Sequence, residues 1–227
     1  MRLPAFRKAP AEYDERFMDT MAAAYLERTP WTELRLEAVR ALVEPQPGQR
    51  VLDLGCAAGA VSHFLSTLGC ETVGVDAEPL AVDKARELFP DLHFQLANVA
   101  RLPFDEASFD KSVAADLVEH LDDETFRAML RETRRVLRPG GTLSIYTPNP
   151  KHPIERLKSR NLILAENPTH IGLRDEETLV RMLREAGYEV DQREWRPSFI
   201  RGLRLVEVAG GGAVESLRYR LCVRGRR

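Results

Sequence analysis

The chain is an α/β protein, a doubly wound parallel sheet with helices on both faces, and three observations predict this. Short apolar runs bounded by turn residues alternate with segments whose apolar positions recur every three or four residues. Five such strands fall between residues 51 and 147, too closely interleaved with helices for an antiparallel meander. A loop of small residues follows the first strand, and an acid ends the second.

Residues 11–44 predict two helices, with Phe17, Met21, Ala24 and Tyr25 on one, Leu34, Ala38, Ala41 and Leu42 on the other, and a break at Thr29-Pro30. The turn Pro45-Gln46-Pro47-Gly48 opens onto the strand VLDLG at 51–55. A helix at 60–69, the strand TVGVD at 72–76 and the helix AVDKARELF at 81–89 follow. The strands FQLAN at 94–98 and SVAAD at 112–116 come next. A helix over 125–137, ended by Pro139-Gly140-Gly141, then leads to the strand TLSIYT at 142–147. Residues 148–174 break the rhythm and are expected to be an insertion. A helix over 176–186 closes at Gly187, and two last strands, 188–196 and 217–223, are joined by a long link through Gly210-Gly211-Gly212.

The 227 residues suit one domain, and the 44% hydrophobic content is too high for a disordered chain. Thirty-three basic residues against 35 acidic ones leave a net charge of −2, so no bulk pull toward nucleic acid or anionic lipid is expected. No apolar run approaches the ~18 residues of a membrane span, and MRLPAFRKAPAEYDERF has no apolar core of a signal peptide. Cys56, Cys70 and Cys222 lie far apart with no C-x-x-C pair, which argues against a disulfide framework or a zinc site. A cytoplasmic protein is the expectation. The closing Arg224-Gly225-Arg226-Arg227 reads as a solvated end.

The segment Asp53-Leu54-Gly55-Cys56-Ala57-Ala58-Gly59 lies where an open parallel sheet binds its ligands, and small residues there let a ligand approach the backbone. Asp76, roughly 20 residues beyond Gly55, can accept both hydroxyls of a ribose. A dinucleotide and S-adenosylmethionine both fit this far. A diphosphate needs backbone close to the anion, but the middle position is Ala57 and Asp53 sets a negative charge just before the loop. That charge suits an ammonium and a sulfonium, and favours S-adenosylmethionine.

VLDLGCAAG, VGVD, ANVARLPF and FDKSVAADLVEHL followed by RVLRPGG together make the sequence similar to the class I S-adenosylmethionine-dependent methyltransferases over residues 45–147. The resemblance implies a Rossmann-like sheet of seven strands, mostly parallel, ending in an antiparallel hairpin. The expected division of the chain is a helical lid at 1–44, a cofactor-binding core at 45–147, a substrate cap at 148–174, and the last helix with the terminal strands at 175–227. The resemblance further implies that Asp53 holds the methionine amino group through water while the backbone of Gly55, Cys56, Ala57 and Gly59 lines the cofactor. Asp76 would bind the ribose with Ala77 beside the adenine, Asn98 and Val99 would flank the adenine edge, and Ala115 and Asp116 would contact the methionine portion. The departures are Ala57 in place of a glycine and Asn98 in place of a common Asp.

Methyl transfer to a neutral hydroxyl benefits from a base, since a phenol of pKa ~10 is about a thousandth ionised at neutral pH. His120 and His170 are the catalytic candidates, each balanced against a purely structural role. His63 is expected to pack beside the cofactor, and His93 and His152 to lie on the surface. No metal site is expected: Asp116, Glu119, Asp122 and Asp123 read as a solvated helix start. The stretch from TPNPKHP through NPTHIGL to RPSFIRGL is similar to the ubiquinone-biosynthesis O-methyltransferases, which implies a small-molecule hydroxyl acceptor under a cap carrying Ile154, Leu157, Leu162, Ile163 and Leu164. Tyr13, Phe17, Tyr25 and Trp31 could close over the cofactor, although packing explains them as well. The alternatives are an N-methyltransferase, a non-catalytic S-adenosylmethionine-binding module and a nicotinamide dehydrogenase.

Overall fold

A computed structural model of the chain describes residues 15–158 and 168–227. Tyr13, Leu162, Ile163 and Leu164 lie outside them. The first helices are α1, Glu15–Leu26, and α2, Pro30–Val43. Thr29 separates them, its hydroxyl accepting from the Thr32 amide ahead of Pro30 at the start of α2. The core then runs β1 (Arg50–Leu54), α3 (Ala60–Thr67), β2 (Glu71–Asp76), α4 (Pro79–Leu88), β3 (His93–Leu96) and β4 (Phe109–Ala115). A 3-10 turn, Val118–His120, precedes α5 (Asp123–Val136) and β5 (Leu137–Pro148), and a second, Glu215–Leu217, lies before the last strand. The short α6 (Pro153–Lys158), α7 (Glu176–Glu185), β6 (Glu189–Arg196), α8 (Arg201–Gly210) and β7 (Arg220–Arg226) complete the order.

The seven strands form one sheet in the order β3-β2-β1-β4-β5-β7-β6. β1 through β5 are parallel, and β7 runs antiparallel to both β5 and β6. The expected antiparallel pair is present, with β7 inserted between β5 and β6. Alternation along the strands divides the core. Leu52, Leu54, Val75, Ala114 and Ile145 pack with Phe126, Met129 and Leu130 of α5 and Leu179 and Leu183 of α7. Val51, Val113, Ala115 and Tyr146 pack on the other face with Leu36, Val39 and Leu42 of α2 and Leu65 of α3.

Four local expectations are corrected. The link before the last strand is helical over α8, a helix whose exposed Leu205, Val206 and Val208 give no inward apolar stripe to read. β5 takes in Pro139-Gly140-Gly141, because Leu137 already pairs with Phe109 before the register shifts. Arg224 is buried in β7, where it meets Asp191 and Glu44, so the basic tail is not simply a solvated end. His152 is fully buried, its Nε2 3.0 Å from Glu207 of α8. His93 is exposed as expected.

Candidate functional site

The site begins with three left-handed residues that fold the loop after β1 back on itself: Gly55 (φ 68°), Ala57 (φ 46°) and Gly59 (φ 82°). A Cβ on Gly55 would stand 2.7 Å from Leu117 Cδ1, and one on Gly59 would stand 2.8 Å from Phe94 Cζ. Ala57 adopts this conformation with a side chain, at a modest local cost in strain. Four of the loop's amides are already engaged. Gly55 and Cys56 donate to the Val75 carbonyl, at 2.8 and 3.0 Å, and Gly59 to the Cys56 carbonyl at 2.8 Å. The Ala57 amide donates to Asp76 Oδ2 at 2.9 Å. A diphosphate would need such donors turned outward, and these four are turned inward.

Two carboxylates flank the loop. Asp53 is buried, held by the Ser62 hydroxyl of α3, which donates to Oδ2 at 2.7 Å. Burial pushes its pKa up to about 6, against the opposing effect of the Ser62 hydrogen bond and of Arg35. A carboxylate raised this way gains from a nearby cation and loses from a nearby anion. Asp76, at the end of β2, also accepts from the Glu78 amide at 3.0 Å, and burial raises its pKa as well. Each of its oxygens keeps a second lone pair for a ribose hydroxyl. These groups fit an adenosyl sulfonium: a buried acid before the loop, a second acid after β2, and four loop amides engaged within the protein.

The exposed Asn98 closes the segment after β3, with Oδ1 accepting from the Ala100 amide at 2.8 Å, while Val99 is buried beside it. Ala77 is exposed next to Asp76. At the end of β4, Ala115 is buried and its carbonyl accepts from Arg35 at 2.9 Å. Asp116 is another left-handed residue (φ 56°), its carboxylate 2.8 Å from Arg35 Nε and 3.2 Å from Arg220 Nη1. Any contact Asp116 makes with a ligand therefore shares its carboxylate with two arginines.

His120 and His170 come together, their rings 5.0 Å apart and edge to face. Glu119 joins them: one ligating atom from each of the three residues lies within 4.8 Å of the others. Glu119 is buried, contrary to the expectation of a solvated helix start, and accepts from the Thr147 hydroxyl at 3.0 Å. Burial, reinforced by Asp116, raises its pKa to about 8. Asp122 and Asp123 do sit at an exposed helix start, Asp122 capping α5 through the Thr125 amide. His120 Nδ1 lies 3.2 Å from the Thr169 carbonyl. His63 hydrogen-bonds Tyr25 Oη at 2.6 Å and stacks on Phe89, which gives Tyr25 a packing role beside the loop. Trp31 lies under Arg35, whose guanidinium is 5.7 Å from its ring.

Sequence reasoning missed Arg174, Glu119 and the two arginines on Asp116. Arg174 is buried and donates to the carbonyls of Val118 (2.9 Å), Leu121 (2.8 Å) and Gly172 (2.7 Å) and to Asp123 (2.7 Å). The Gly172 amide donates to the Glu119 carbonyl at 2.8 Å, and a Cβ there would collide with the Leu121 carbonyl. Arg174 and Gly172 thereby fasten the His170 loop onto the 3-10 turn that carries Glu119 and His120. An arginine in GLRDEE gives no sequence signal for this, because its partners lie about 50 residues away in the chain.

The family described as a methyltransferase domain matches residues 51–141. The O-methyltransferase resE of Aspergillus sclerotiorum is 31% identical over 173 residues, covering 70% of this chain and 62% of that protein. The ubiquinone biosynthesis O-methyltransferase of Xanthomonas axonopodis pv. citri is 36% identical over 121 residues, covering 51% and 49%. The chain thus spans less than two thirds of the length of these curated relatives. A SAM-dependent methyltransferase from Archaeoglobus fulgidus superposes with a TM-score of 0.69 at 18% identity, covering 92% of this chain and 99% of that one. At that identity the likeness shows the fold alone.

Proposed function

Taking residues 51–141 as a methyltransferase domain that uses S-adenosylmethionine, we propose that this chain transfers a methyl group to a hydroxyl oxygen of a small molecule. The observation that carries the cofactor half is the inward turn of the loop amides above the buried Asp53. The observation that carries the acceptor half is the meeting of His120 with His170 just past the end of β4.

When bound, S-adenosylmethionine supplies a methyl carbon whose bond to sulfur breaks with its electron pair returning to sulfur, leaving S-adenosylhomocysteine. Asp53 supplies negative charge beneath the methionine amino group, and Asp76 receives the ribose hydroxyls. The backbone of Gly55, Cys56, Ala57 and Gly59 lines the crevice, with Ala77, Asn98 and Val99 around the adenine and Ala115 and Asp116 near the methionine end. The acceptor oxygen forms the new O–C bond as its proton is lost at the histidine pair. Orienting the two reactants supplies much of the rate, on the order of 7–11 kcal/mol for well-placed groups, and proton removal adds ~10²–10⁴-fold. Residues 148–174 serve as the acceptor's cap, where Ile154 and Leu157 are half-buried. Among the described residues, no helix is long and apolar enough to cross a membrane.

The test is product formation from S-adenosylmethionine across matched sets of phenols, aliphatic alcohols, amines and carboxylates, read as S-adenosylhomocysteine release. Turnover confined to hydroxyl compounds supports the reading. Turnover of amines with none of hydroxyls replaces it with N-methylation.

A further inference from the structure

We infer that Arg220 receives a carboxylate of the acceptor, which makes the compound methylated here a hydroxylated organic acid. Arg220 opens β7, its Cα paired with that of Pro148 at the far end of β5. That end is the carboxyl edge of the parallel strands, where an open sheet binds its ligands. β7 stands three strands from β1 in the sheet, about 14 Å at ~4.8 Å per strand. The cofactor loop and Arg220 are therefore separated by the width of a small molecule.

Arg220 is only 8% exposed. Its guanidinium carbon lies 4.9 Å from the centroid of the Tyr219 ring and 5.6 Å from that of Tyr146. Such contacts steady the fork but satisfy none of its five N–H groups. Nη1 comes within 3.2 Å of Asp116 Oδ1, yet neither Nη1 nor Nε has a hydrogen-bond partner among the described residues. A buried charged donor is costly to leave in that state. Asp116 is moreover shared: its Oδ2 is 2.8 Å from Nε of Arg35, which also donates to the Ala115 carbonyl. Two permanent cations thus meet one carboxylate. Glu119, the next acid, has its pKa raised by burial to about 8 and stays mostly protonated at neutral pH. Glu207 is already engaged by His152 and the Ser198 amide.

A carboxylate supplies what this cluster lacks. Its two oxygens match the paired donors of a guanidinium, and its charge balances the second cation. It takes no part in the bond changes of methyl transfer. Held by Arg220, it sets where the acceptor's hydroxyl lies against the methyl carbon, which is the positioning that the reaction needs. The carboxylate site stands without any assumption about the reaction; only its use in methyl transfer rests on that reading.

Phenol and para-hydroxybenzoate, which differ only by a carboxylate, are titrated calorimetrically into protein saturated with S-adenosylhomocysteine and assayed separately with S-adenosylmethionine. The benzoate should bind about 100-fold more tightly than phenol. Arg220→Met keeps an apolar stem without the charge and should bring the ratio near one, and Arg220→Lys should restore part of it. The ratio in the parent protein decides even where a variant does not fold. Equal binding of the two compounds, binding of neither, or a ratio that Arg220→Met leaves intact overturns the site. Arg220→Met protein that binds S-adenosylhomocysteine more weakly but methylthioadenosine as before assigns the carboxylate to the cofactor, and also overturns it. Phenol bound and methylated as readily as the benzoate overturns the site and leaves methyl transfer to hydroxyls intact. Benzoate bound through Arg220 but never methylated supports the site and removes only that reading.

Discussion

The two ends of the crevice are built by different means. At the cofactor end, between β1 and β3, shape comes from the backbone: three left-handed residues fold the loop, and its amides close onto Val75, Cys56 and Asp76. At the acceptor end, past β4, shape comes from long side chains. Arg174, Arg35 and Arg220 reach across 50 to 100 residues of sequence to hold a carboxylate turn and a histidine loop in register. A backbone-made site tolerates changes in most side chains, whereas a site assembled by buried charges depends on each of them.

The strongest way to break this division is at the histidines. His120→Ala or His170→Ala should each lower kcat by roughly 100-fold or more while leaving S-adenosylhomocysteine affinity unchanged, as steady-state rates and calorimetry would read. A parallel fall in cofactor affinity would show that the two ends are one unit. Asp76→Ala should do the reverse. Loss of two charge-assisted hydrogen bonds, about 3 kcal/mol together, weakens cofactor binding ~100-fold and raises the cofactor KM more than it lowers kcat.

Arg174→Ala sharpens the contrast in stability. It strands the carbonyls of Val118, Leu121 and Gly172 and the carboxylate of Asp123. Denaturant unfolding should show a loss of about 3 kcal/mol, with turnover falling about 10-fold and cofactor affinity preserved. Equal losses of turnover and cofactor affinity would deny it a purely acceptor-side role.

The effect expected at Asp53 has two signs. Asp53 is raised from the ordinary carboxylate range to about 6 in the fold. Its proton is therefore bound more tightly when folded than when unfolded. Stability is highest below the unfolded pKa near 4 and falls as pH rises to 6, by about 3 kcal/mol. Asp53→Asn should remove that loss, unfolding later than the parent at pH 7.5 and equally at pH 4. The same variant should bind the cofactor about 10-fold more weakly. A variant that loses both stability and binding would make Asp53 a structural hydrogen-bond acceptor.

The backbone-made end was legible in the sequence because its determinants are short-range. A strand, small residues at 55, 57 and 59 and an acid ending the next strand are written within one βαβ unit. Which amides the loop consumes was not legible, since Val75 and Asp76 accept them only once β1 and β2 pair. At the other end, His120 and His170 could be singled out by residue type, but their meeting depends on Arg174, whose sequence context resembles any exposed helix start. Glu119 was misread for the same reason: in DLVEHLDDE it looks like one solvated acid among several, and only burial against Thr147 distinguishes it. His152 gave no hint of burial because its partner Glu207 lies in a helix the sequence did not announce.

Calorimetric titration of the purified chain with S-adenosylmethionine and with NAD, at pH 7.5 and again at pH 5, addresses the crevice most directly. Saturable binding of S-adenosylmethionine at pH 7.5, weaker at pH 5 and accompanied there by proton release because Asp53 is then protonated, and no heat from NAD is the expected result. Tight binding of NAD alongside indifference to S-adenosylmethionine would contradict an inward-turned loop above a buried acid as the reason for cofactor choice.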